Sequence, residues 1–356
     1  MSAILGNASA AAVRDSPGLW ALAWRRLLQD RVGMVCLVIV AAYLAMMVAS
    51  YTGLVAGDWS RERGVSYANP SFLAGEVNLE AKALEQRKAA AKAPPVDLSD
   101  VDPLAPRYKE WAERAAKIAV HEVKRSQTLP FGGDKWGRDV LLKTVKGSEV
   151  SIFVGLSSAL LATLIGTVLG ALAGYWGGRV NDLLEWFYNI FTSIPYILLI
   201  LAFAAVATAT GKFGKGIVPI VLVLSLTGWT GIYRLMRAEY IKHCNREYVK
   251  AAQAIGASNT SRMFHHILPN VSHVALVQLS QYTVGFIKAE VILSFLGFGV
   301  PVDMVSWGTM LAEAQNELVI GKWWQLVAAG ASMAVLVTAF SLLTDSLRDA
   351  LDPKLR

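Results

Sequence analysis

The sequence predicts an all-α integral membrane protein with six transmembrane helices, and three observations support this prediction. Of the 356 residues, 54% are hydrophobic and the mean hydropathy is +0.42, whereas a soluble domain is usually about 45–50% apolar. The charged residues, 17% of the chain, are clustered, so that the apolar residues form blocks. Six blocks reach the length of about 20 residues that a helix needs to cross a bilayer: residues 33–57, 148–175, 183–210, 217–236, 273–297 and 324–343.

The first segment, residues 1–32, is predicted to be cytoplasmic because basic side chains concentrate before the first span. They are Arg14, Arg25, Arg26 and Arg31. Within it, "WALAWRRLLQDRVG" is amphipathic and is expected to lie along the inner membrane surface; a plain charged flank is the alternative. The first span, 33–57, is interpreted as an uncleaved signal anchor, because no small-residue cleavage site follows it.

A long polar stretch, 58–147, is predicted to be an external insert that is partly helical. Two segments in it contain strong helix formers, "NLEAKALEQRKAAAKA" and "YKEWAERAAKIAVHEVKR". The insert could dock a partner or serve as a flexible connection, and the sequence leaves both interpretations open.

The other five spans form a predicted transmembrane core over residues 148–345, followed by a cytoplasmic tail, 346–356. In the second span, Gly166, Gly170 and Gly174 repeat every four residues, a spacing that lets helices approach closely. Pro195 is expected to kink the third span.

The loop between the fourth and fifth spans, 237–272, is predicted to be cytoplasmic as well, because it is the most basic of the loops between the later spans. Its basic residues include Arg237, Lys242, Arg246, Lys250 and Arg262. The predicted external loop at 211–216 has only Lys212 and Lys215, and the one at 299–323 has only Lys322. Six crossings then place both termini on the cytoplasmic side of a multi-pass protein.

This loop contains the segment "YVKAAQAIGASNTSRMFHHILPN", residues 248–270. Small residues favour a short helix that ends at Gly256, and a second short helix begins near Asn259 and is stopped by Pro269. Two short helices joined by a turn form an elbow with a shallow apolar surface, which predicts a docking site for a cytoplasmic protein. The alternative is an ordinary loop packed on its own bundle.

The segment resembles the "EAA" loop of ABC importer permeases, in which a small-residue helix, a glycine and an Ile/Leu-Pro end recur. The matching positions are Ala251, Ala252, Gly256, Leu268 and Pro269. Lys250 stands where the general pattern has Glu, and His266 stands where it has Ile, with Ile267 beside it. A basic residue before the alanine pair and the sequence "HILPN" resemble the peptide-type permeases.

Other stretches resemble the same family. They are "WRRLLQDRVG" near the N-terminus, "FGGDKWGRDVL" (131–141) before the second span, "LSFLGFGVP" (293–301) with "SWGTMLAEAQ" (306–315), and the tail "DSLRDALDPKLR" (345–356). The family-motif positions are Gly132, Asp134, Gly137, Arg138, Asp139, Trp307, Gly308, Asp345, Arg348 and Asp349. The motifs in this order resemble the second, C-type permease subunit of dipeptide/oligopeptide importers, although the insert at 58–129 is longer than expected for that subunit.

The resemblance implies a type I ABC importer permease of the bacterial inner membrane that forms half of an import pathway for di- and oligopeptides. It also implies partners: a second homologous permease subunit, two ABC ATPase subunits and an external substrate-binding protein. The positions implied to couple ATP hydrolysis to transport are Tyr248, Lys250, Ala251, Ala252, Ile255, Gly256, Ala257, Phe264, His266, Ile267, Leu268 and Pro269.

The chain itself is not expected to be an enzyme. It has no G-x-x-x-x-G-K-[ST] phosphate loop, so ATP and Mg²⁺ are assigned to the partner ATPases and no cofactor is expected here. No metal site is expected either, because the adjacent His265 and His266 do not share a helix face. The net charge of +7 is attributed to contacts with lipid headgroups rather than nucleic acid, since no basic patch with interleaved aromatics appears.

Two ionisable residues, Lys288 and Glu290, fall within the predicted fifth span, where charge is costly. With Ser294 they are the candidates for lining the translocation pathway; structural pairing with another helix or with the partner permease is the alternative. Two other functions stay open: the same transporter type with a nickel chelate or a glutathione-like or modified peptide as cargo, and a non-transport membrane scaffold.

Overall fold

The computed structural model describes residues 19–73, 86–87, 89, 105–116, 125–211, 216–301 and 303–351, and it is mainly helical. The helices are α1 (Leu19–Gln29), α2 (Arg31–Tyr51), α3 (Ala105–Ala116), α4 (Val140–Trp176), α5 (Gly178–Thr192), α6 (Tyr196–Thr210), α7 (Val218–Gly228), α8 (Thr230–Cys244), α9 (Glu247–Ala254), α10 (Leu268–Phe295), α11 (Trp307–Val319) and α12 (Trp324–Leu351). Two short strands, β1 (Gly64–Pro70) and β2 (Ser126–Leu129), lie between α2 and α4.

Three helices, α2, α4 and α12, are long and apolar enough to cross a membrane by themselves. The pairs α5–α6 and α7–α8 meet the same criterion when each bent pair counts as one span, which gives up to five spans among the described residues. The predicted fifth span corresponds to α10, which has 28 residues. It is not among the helices that meet this criterion, and it contains the polar residues Gln278, Gln281, Lys288 and Glu290.

Several helix ends differ from the predicted ones because local caps decide the boundary. Helix α2 ends at Tyr51 rather than at residue 57, and Gly53 follows with a φ of +77°. Helix α4 begins at Val140 rather than at residue 148, because the Asp139 carboxylate caps it by accepting a hydrogen bond from the backbone N–H of Leu141. Helix α12 continues to Leu351 and therefore includes part of the predicted tail.

The predicted kink in the third span is a complete break. Helices α5 and α6 meet at 87°, and Pro195 immediately precedes α6, where its missing N–H interrupts the helical hydrogen bonds. A second bend, of 43°, separates α7 from α8 at Trp229. No proline marks this second bend, and the sequence does not predict it.

Helix α4 is the centre of the bundle and packs against α2, α7, α8, α10 and α12. Its closest contact is with α8, through the three glycines of the predicted repeat. A Cβ atom added to Gly166 or Gly170 would lie 2.7 Å from a carbonyl oxygen of the α7–α8 segment, and one added to Gly174 would lie 2.5 Å from another. The repeat is therefore a packing feature, since any side chain would push the two helices apart.

The insert, predicted to be partly helical, also contains two short strands that the sequence does not predict. Strands β1 and β2 pair in parallel and bring the two ends of the insert together beside the start of α4. Of the two helix candidates, the second appears as α3, and the first lies largely outside the described residues.

The amphipathic helix α1 packs on α12: Ala23 lies in one apolar cluster with Val277, Ala350 and Leu351. The first and last described helices thus meet at one end of the bundle.

Candidate functional site

The elbow, residues 247–267, joins α8 to α10. It consists of α9, a short helical turn (Asn259–Ser261) and a π-helix (Arg262–Ile267). Helix α9 ends because Gly256 has a φ of +86°, a conformation that glycine adopts without strain. The π-helix runs directly into α10, so Pro269 lies in the first turn of α10 and does not stop a helix as predicted.

Buried side chains fix the elbow to the bundle. Met263 and Ile267 are in an apolar cluster with residues of α4 and α8. The Tyr240 hydroxyl on α8 donates a hydrogen bond to the Met263 carbonyl, at 3.1 Å. The Tyr175 hydroxyl on α4 donates to the side-chain oxygen of Asn259, also at 3.1 Å. A force on the elbow therefore reaches α4, α8 and α10 together.

The outer surface of the elbow is small and apolar at its tip. Ile255 is 84% exposed, and the same elbow also exposes Tyr248, Lys250, Ala251 and Gly256. An exposed branched aliphatic side chain next to glycine and alanine offers both a projection and a shallow surface to a partner.

The remaining predicted coupling residues mostly support the elbow from within. Ala252 and Ile267 are buried, Ala257, Phe264, His266 and Leu268 are half-buried, and Pro269 is exposed. The shallow surface predicted at both alanines is therefore formed by Ala251 alone, because Ala252 is only 4% exposed.

The motif turn, residues 132–139, closes the start of α4. Asp134 is fully buried, and its carboxylate accepts hydrogen bonds from two backbone N–H groups of the turn, at 2.9 and 3.0 Å. Gly137 has a φ of +76°, and any Cβ there would overlap the carbonyl oxygen of the first residue of β1. The Arg138 guanidinium lies over two tryptophan rings. This part of the family pattern is thus explained by folding of the turn.

The other family-motif positions fall into two groups. Gly132 lies against the Trp324 ring, and Gly308 lies against the backbone of α10. Trp307 is fully buried and donates from Nε1 to the Thr144 carbonyl, at 3.2 Å. Three positions are instead exposed near the end of α12: Asp345, Arg348 and Asp349.

A buried lysine ties the motif turn to α11 and α12. Lys143 is 1% exposed, and its Nζ donates to the carboxylates of Asp134 (2.8 Å) and Glu313 (2.5 Å) and to the amide oxygen of Gln325 (3.2 Å). Glu317, one turn further along α11, is 2% exposed, and neither carboxylate oxygen has a hydrogen-bond partner among the described residues. Burial raises the pKa of Glu317 to about 7; the Lys143 ammonium opposes this shift, and the carboxylates of Asp134 and Glu313 add to it. These five residues form the Lys143 cluster.

The three pathway candidates lie in different surroundings. Glu290 is fully buried and accepts hydrogen bonds from the hydroxyls of Ser151 on α4 and Ser294 on α10, both at 2.6 Å. The Ser151 hydroxyl in turn accepts a hydrogen bond from the Trp307 N–H at the start of α11, at 3.2 Å. Glu290 and Ser294 therefore join three helices, whereas Lys288 is exposed on the surface of α10.

The Lys143 cluster and Ser151 are not predicted from the sequence. The sequence contains one indication of the cluster, the i, i+4 spacing of Glu313 and Glu317. This spacing places two carboxylates on one helix face, where a basic side chain would be needed to compensate their charge. Ser151 has no such signal, because serines are common in transmembrane helices. Among the described residues, no group of three or more His, Cys, Asp or Glu could hold a metal ion.

Comparisons with known proteins match most of the chain. Residues 166–356 match the family model "Binding-protein-dependent transport system inner membrane component", and residues 18–56 match "N-terminal TM domain of oligopeptide transport permease C".

Two curated relatives come from Bacillus subtilis (strain 168). The dipeptide transport system permease protein DppC is 35% identical over 249 residues, covering 67% of this chain and 76% of the relative. The oligopeptide transport system permease protein OppC is 35% identical over 252 residues, covering 71% and 80%. A solved structure of the MetNI methionine ABC transporter in inward-facing conformations aligns with 59% of this chain and 96% of its own, at 16% identity and a TM-score of 0.48.

The elbow before α10 lies in the first of these matched ranges, and α1 and α2 lie in the second. The chain is a member of the inner membrane components of binding-protein-dependent ABC transport systems, and it is of the C-type that is found in peptide permeases.

Proposed function

We propose that this chain forms half of the translocation pathway for di- and oligopeptides and transmits the movement of separate ATPase subunits to that pathway. The peptide cargo is supported by relatives named for dipeptide and oligopeptide transport that match over two thirds of the chain. The coupling role rests on one observation, the exposed Ile255 tip on an elbow that is anchored to α4, α8 and α10.

In this proposal the elbow, the N-terminus and the C-terminus face the cytoplasm of a bacterial cell. Two ATPase subunits bind ATP and Mg²⁺, and one of them covers the Ile255 tip. A second homologous permease subunit completes the pathway, and an external substrate-binding protein delivers the peptide at the opposite end. Nucleotide binding biases the assembly between outward-open and inward-open states, because the ATPases contact the elbow differently in each.

The coupling role is tested with Ile255→Asp in the assembled transporter. The aspartate places a charge where an apolar side chain would be covered, and no packing inside this chain is lost because Ile255 is 84% exposed. We expect peptide uptake into cells lacking the native chain to fall about tenfold or more, equivalent to about 1.4 kcal/mol of lost coupling. The measurement is uptake of labelled di- and tripeptides, with ATP hydrolysis of the purified complex recorded alongside.

Ile255→Leu is the matched control, since it keeps an apolar tip, and it should retain uptake. Ala252→Asp is unsuitable, because Ala252 is buried and the variant would disturb folding. Full uptake by Ile255→Asp would contradict the coupling role.

If cells with the wild-type chain take up no peptide but do take up a nickel chelate or a glutathione-like compound, the cargo is different. Absence of any transport would favour a scaffold.

A further inference from the structure

Lys288 and Glu290 are two residues apart, yet they face opposite sides of α10. The buried sides of this helix pack into the bundle through Phe286, Ala289 and Leu293 on one flank and through Ile287 and Val291 on the other. None of the described residues covers the remaining stripe, whose exposed residues are Gly285, Lys288, Ile292, Phe295 and Leu296. Lys288 is the charged residue in this stripe.

Lys288 lies well inside the helix and not at its end. It lies seven positions before Phe295, the last residue of α10, which is about 10 Å along the helix axis at 1.5 Å per residue. Glu290, the nearest acidic residue in sequence, points into the bundle, where its carboxylate accepts hydrogen bonds from two serine hydroxyls. In the part of the chain that the structure describes, the Lys288 ammonium makes no ion pair and no hydrogen bond. An unpaired ammonium at this depth is costly against hydrocarbon, so this stripe is poorly suited to face lipid.

The stripe also has room beside the ammonium. Gly285 is one turn away on the same face, and a Cβ atom added there would have no neighbour within 4 Å. Gln281, a further turn along, is half-buried; its amide oxygen accepts a hydrogen bond from Gln278 Nε2 at 3.2 Å, and its NH₂ group is a further donor. The ammonium of Lys288, the open space at Gly285 and the amide of Gln281 follow one another along one face of α10. This face is better suited to bind a polar molecule than to pack closely against another helix.

We propose that Lys288 binds the α-carboxylate of the transported peptide in the translocation pathway. This inference rests on the proposed peptide import. The carboxylate is the one anionic group that every unmodified linear peptide carries, whatever its side chains. A lysine suits this task, because its ammonium is a point charge on a flexible stem and imposes little geometry on the rest of the ligand. Glu290 and Ser294 position α10 and do not touch the peptide.

The test compares one tripeptide with a free carboxyl terminus and the same tripeptide as its carboxyl-terminal amide. Transport into proteoliposomes is measured with the complete transporter and saturating binding protein. Wild type, Lys288→Met and Lys288→Arg are compared, since methionine removes the charge at similar length and arginine keeps it. The quantity of interest is the ratio of the two uptake rates, because selectivity of the binding protein is common to all three transporters and cancels between them.

We expect Lys288→Met to reduce uptake of the free tripeptide about tenfold while changing uptake of the amide less than twofold, and Lys288→Arg to preserve the wild-type ratio. An unchanged ratio in Lys288→Met would overturn the inference. The ratio is also unchanged if Lys288→Met reduces the uptake of both peptides equally, and this outcome would indicate that Lys288 contacts the second permease subunit. If the uptake of neither peptide falls, the Lys288 side chain reaches the lipid headgroups instead. Failure of the wild-type transporter to import either peptide would instead refute the proposed function.

Discussion

Glu317 is the residue of the Lys143 cluster whose charge is least compensated. The residue is 2% exposed, and its two carboxylate oxygens have no hydrogen-bond partner among the described residues. Lys143 is already shared by Asp134 and Glu313, so a second negative charge on α11 would add repulsion in a region that water hardly reaches.

The pKa of Glu317 predicts that stability falls as the pH rises. Burial raises this pKa from 4.5 to about 7, so between these values the folded state holds a proton that the unfolded state has released, and folding is progressively penalised. At about 1.4 kcal/mol per pKa unit, the full penalty above pH 7 is on the order of 3 kcal/mol. Glu317→Gln should therefore show a flatter thermal unfolding temperature between pH 5 and pH 8 and should be more stable than wild type at pH 8.

Glu247→Gln is the control for this experiment, because Glu247 is exposed in the first turn of α9, and its profile should follow wild type. Parallel profiles for Glu317→Gln and wild type would show that the Glu317 carboxyl group does not carry this penalty.

At the residue scale, the sequence shows which residues are unusual for their position, but it does not show what surrounds their side chains. It marks Lys288 and Glu290 as costly charges in a span, but helical spacing alone shows only that they diverge. Which one is buried depends on where α4 and α11 lie, and this is determined by long-range packing that no local pattern encodes.

At the scale of elements, hydropathy predicts the helices well, and local caps and breaks move their ends. The start of α4 depends on a capping carboxylate and the break before α6 on a proline, both of which can be recognised in the sequence. The pairing of β1 with β2 cannot be recognised in the sequence, because most of the insert separates the two strands and neither short segment has a strong strand pattern.

The contact between α4 and α8 gives a prediction at this scale. Gly170→Ala should destabilise the protein by about 1–3 kcal/mol, because the new Cβ would lie 2.7 Å from the Tyr233 carbonyl oxygen and 2.9 Å from the Met236 Cβ. Gly330→Ala in α12 is the matched control: its Cβ would have no neighbour within 4 Å, so it should be neutral or stabilise by up to about 1 kcal/mol through helix propensity.

Thermal unfolding of both variants in the same detergent provides the comparison. Equal destabilisation by the two alanines would mean that the close approach of α4 and α8 is not what requires glycine at residue 170.

For the whole molecule, the arrangement of the ends predicts membrane topology. Ile255 and Val319 are similarly exposed, at 84% and 86%, and they lie beyond opposite ends of α10. Single cysteines at these positions, in a Cys36→Ala and Cys244→Ala background, should therefore react with an impermeant reagent from opposite sides of the membrane. We expect Val319→Cys to label in intact cells and Ile255→Cys only after permeabilisation.

Ser99→Cys extends this test to the insert. Ser99 lies outside the described residues, and the sequence predicts it to be external. It should label together with Val319→Cys; labelling of Ser99→Cys only from the cytoplasmic side would refute the predicted topology.

Helix α10 connects the features described at every scale. It begins at the π-helix of the elbow, carries Glu290 and Lys288 on opposite faces, and ends close to α11. With 28 residues, it is about 42 Å long at 1.5 Å per residue. It can therefore act as a lever arm: a tilt of about 10° about the elbow would sweep Lys288, about 30 Å away, sideways by about 5 Å. This is more than the diameter of a water molecule, so in the proposed transporter a small rotation of the elbow would be enough to open or close a passage near Lys288.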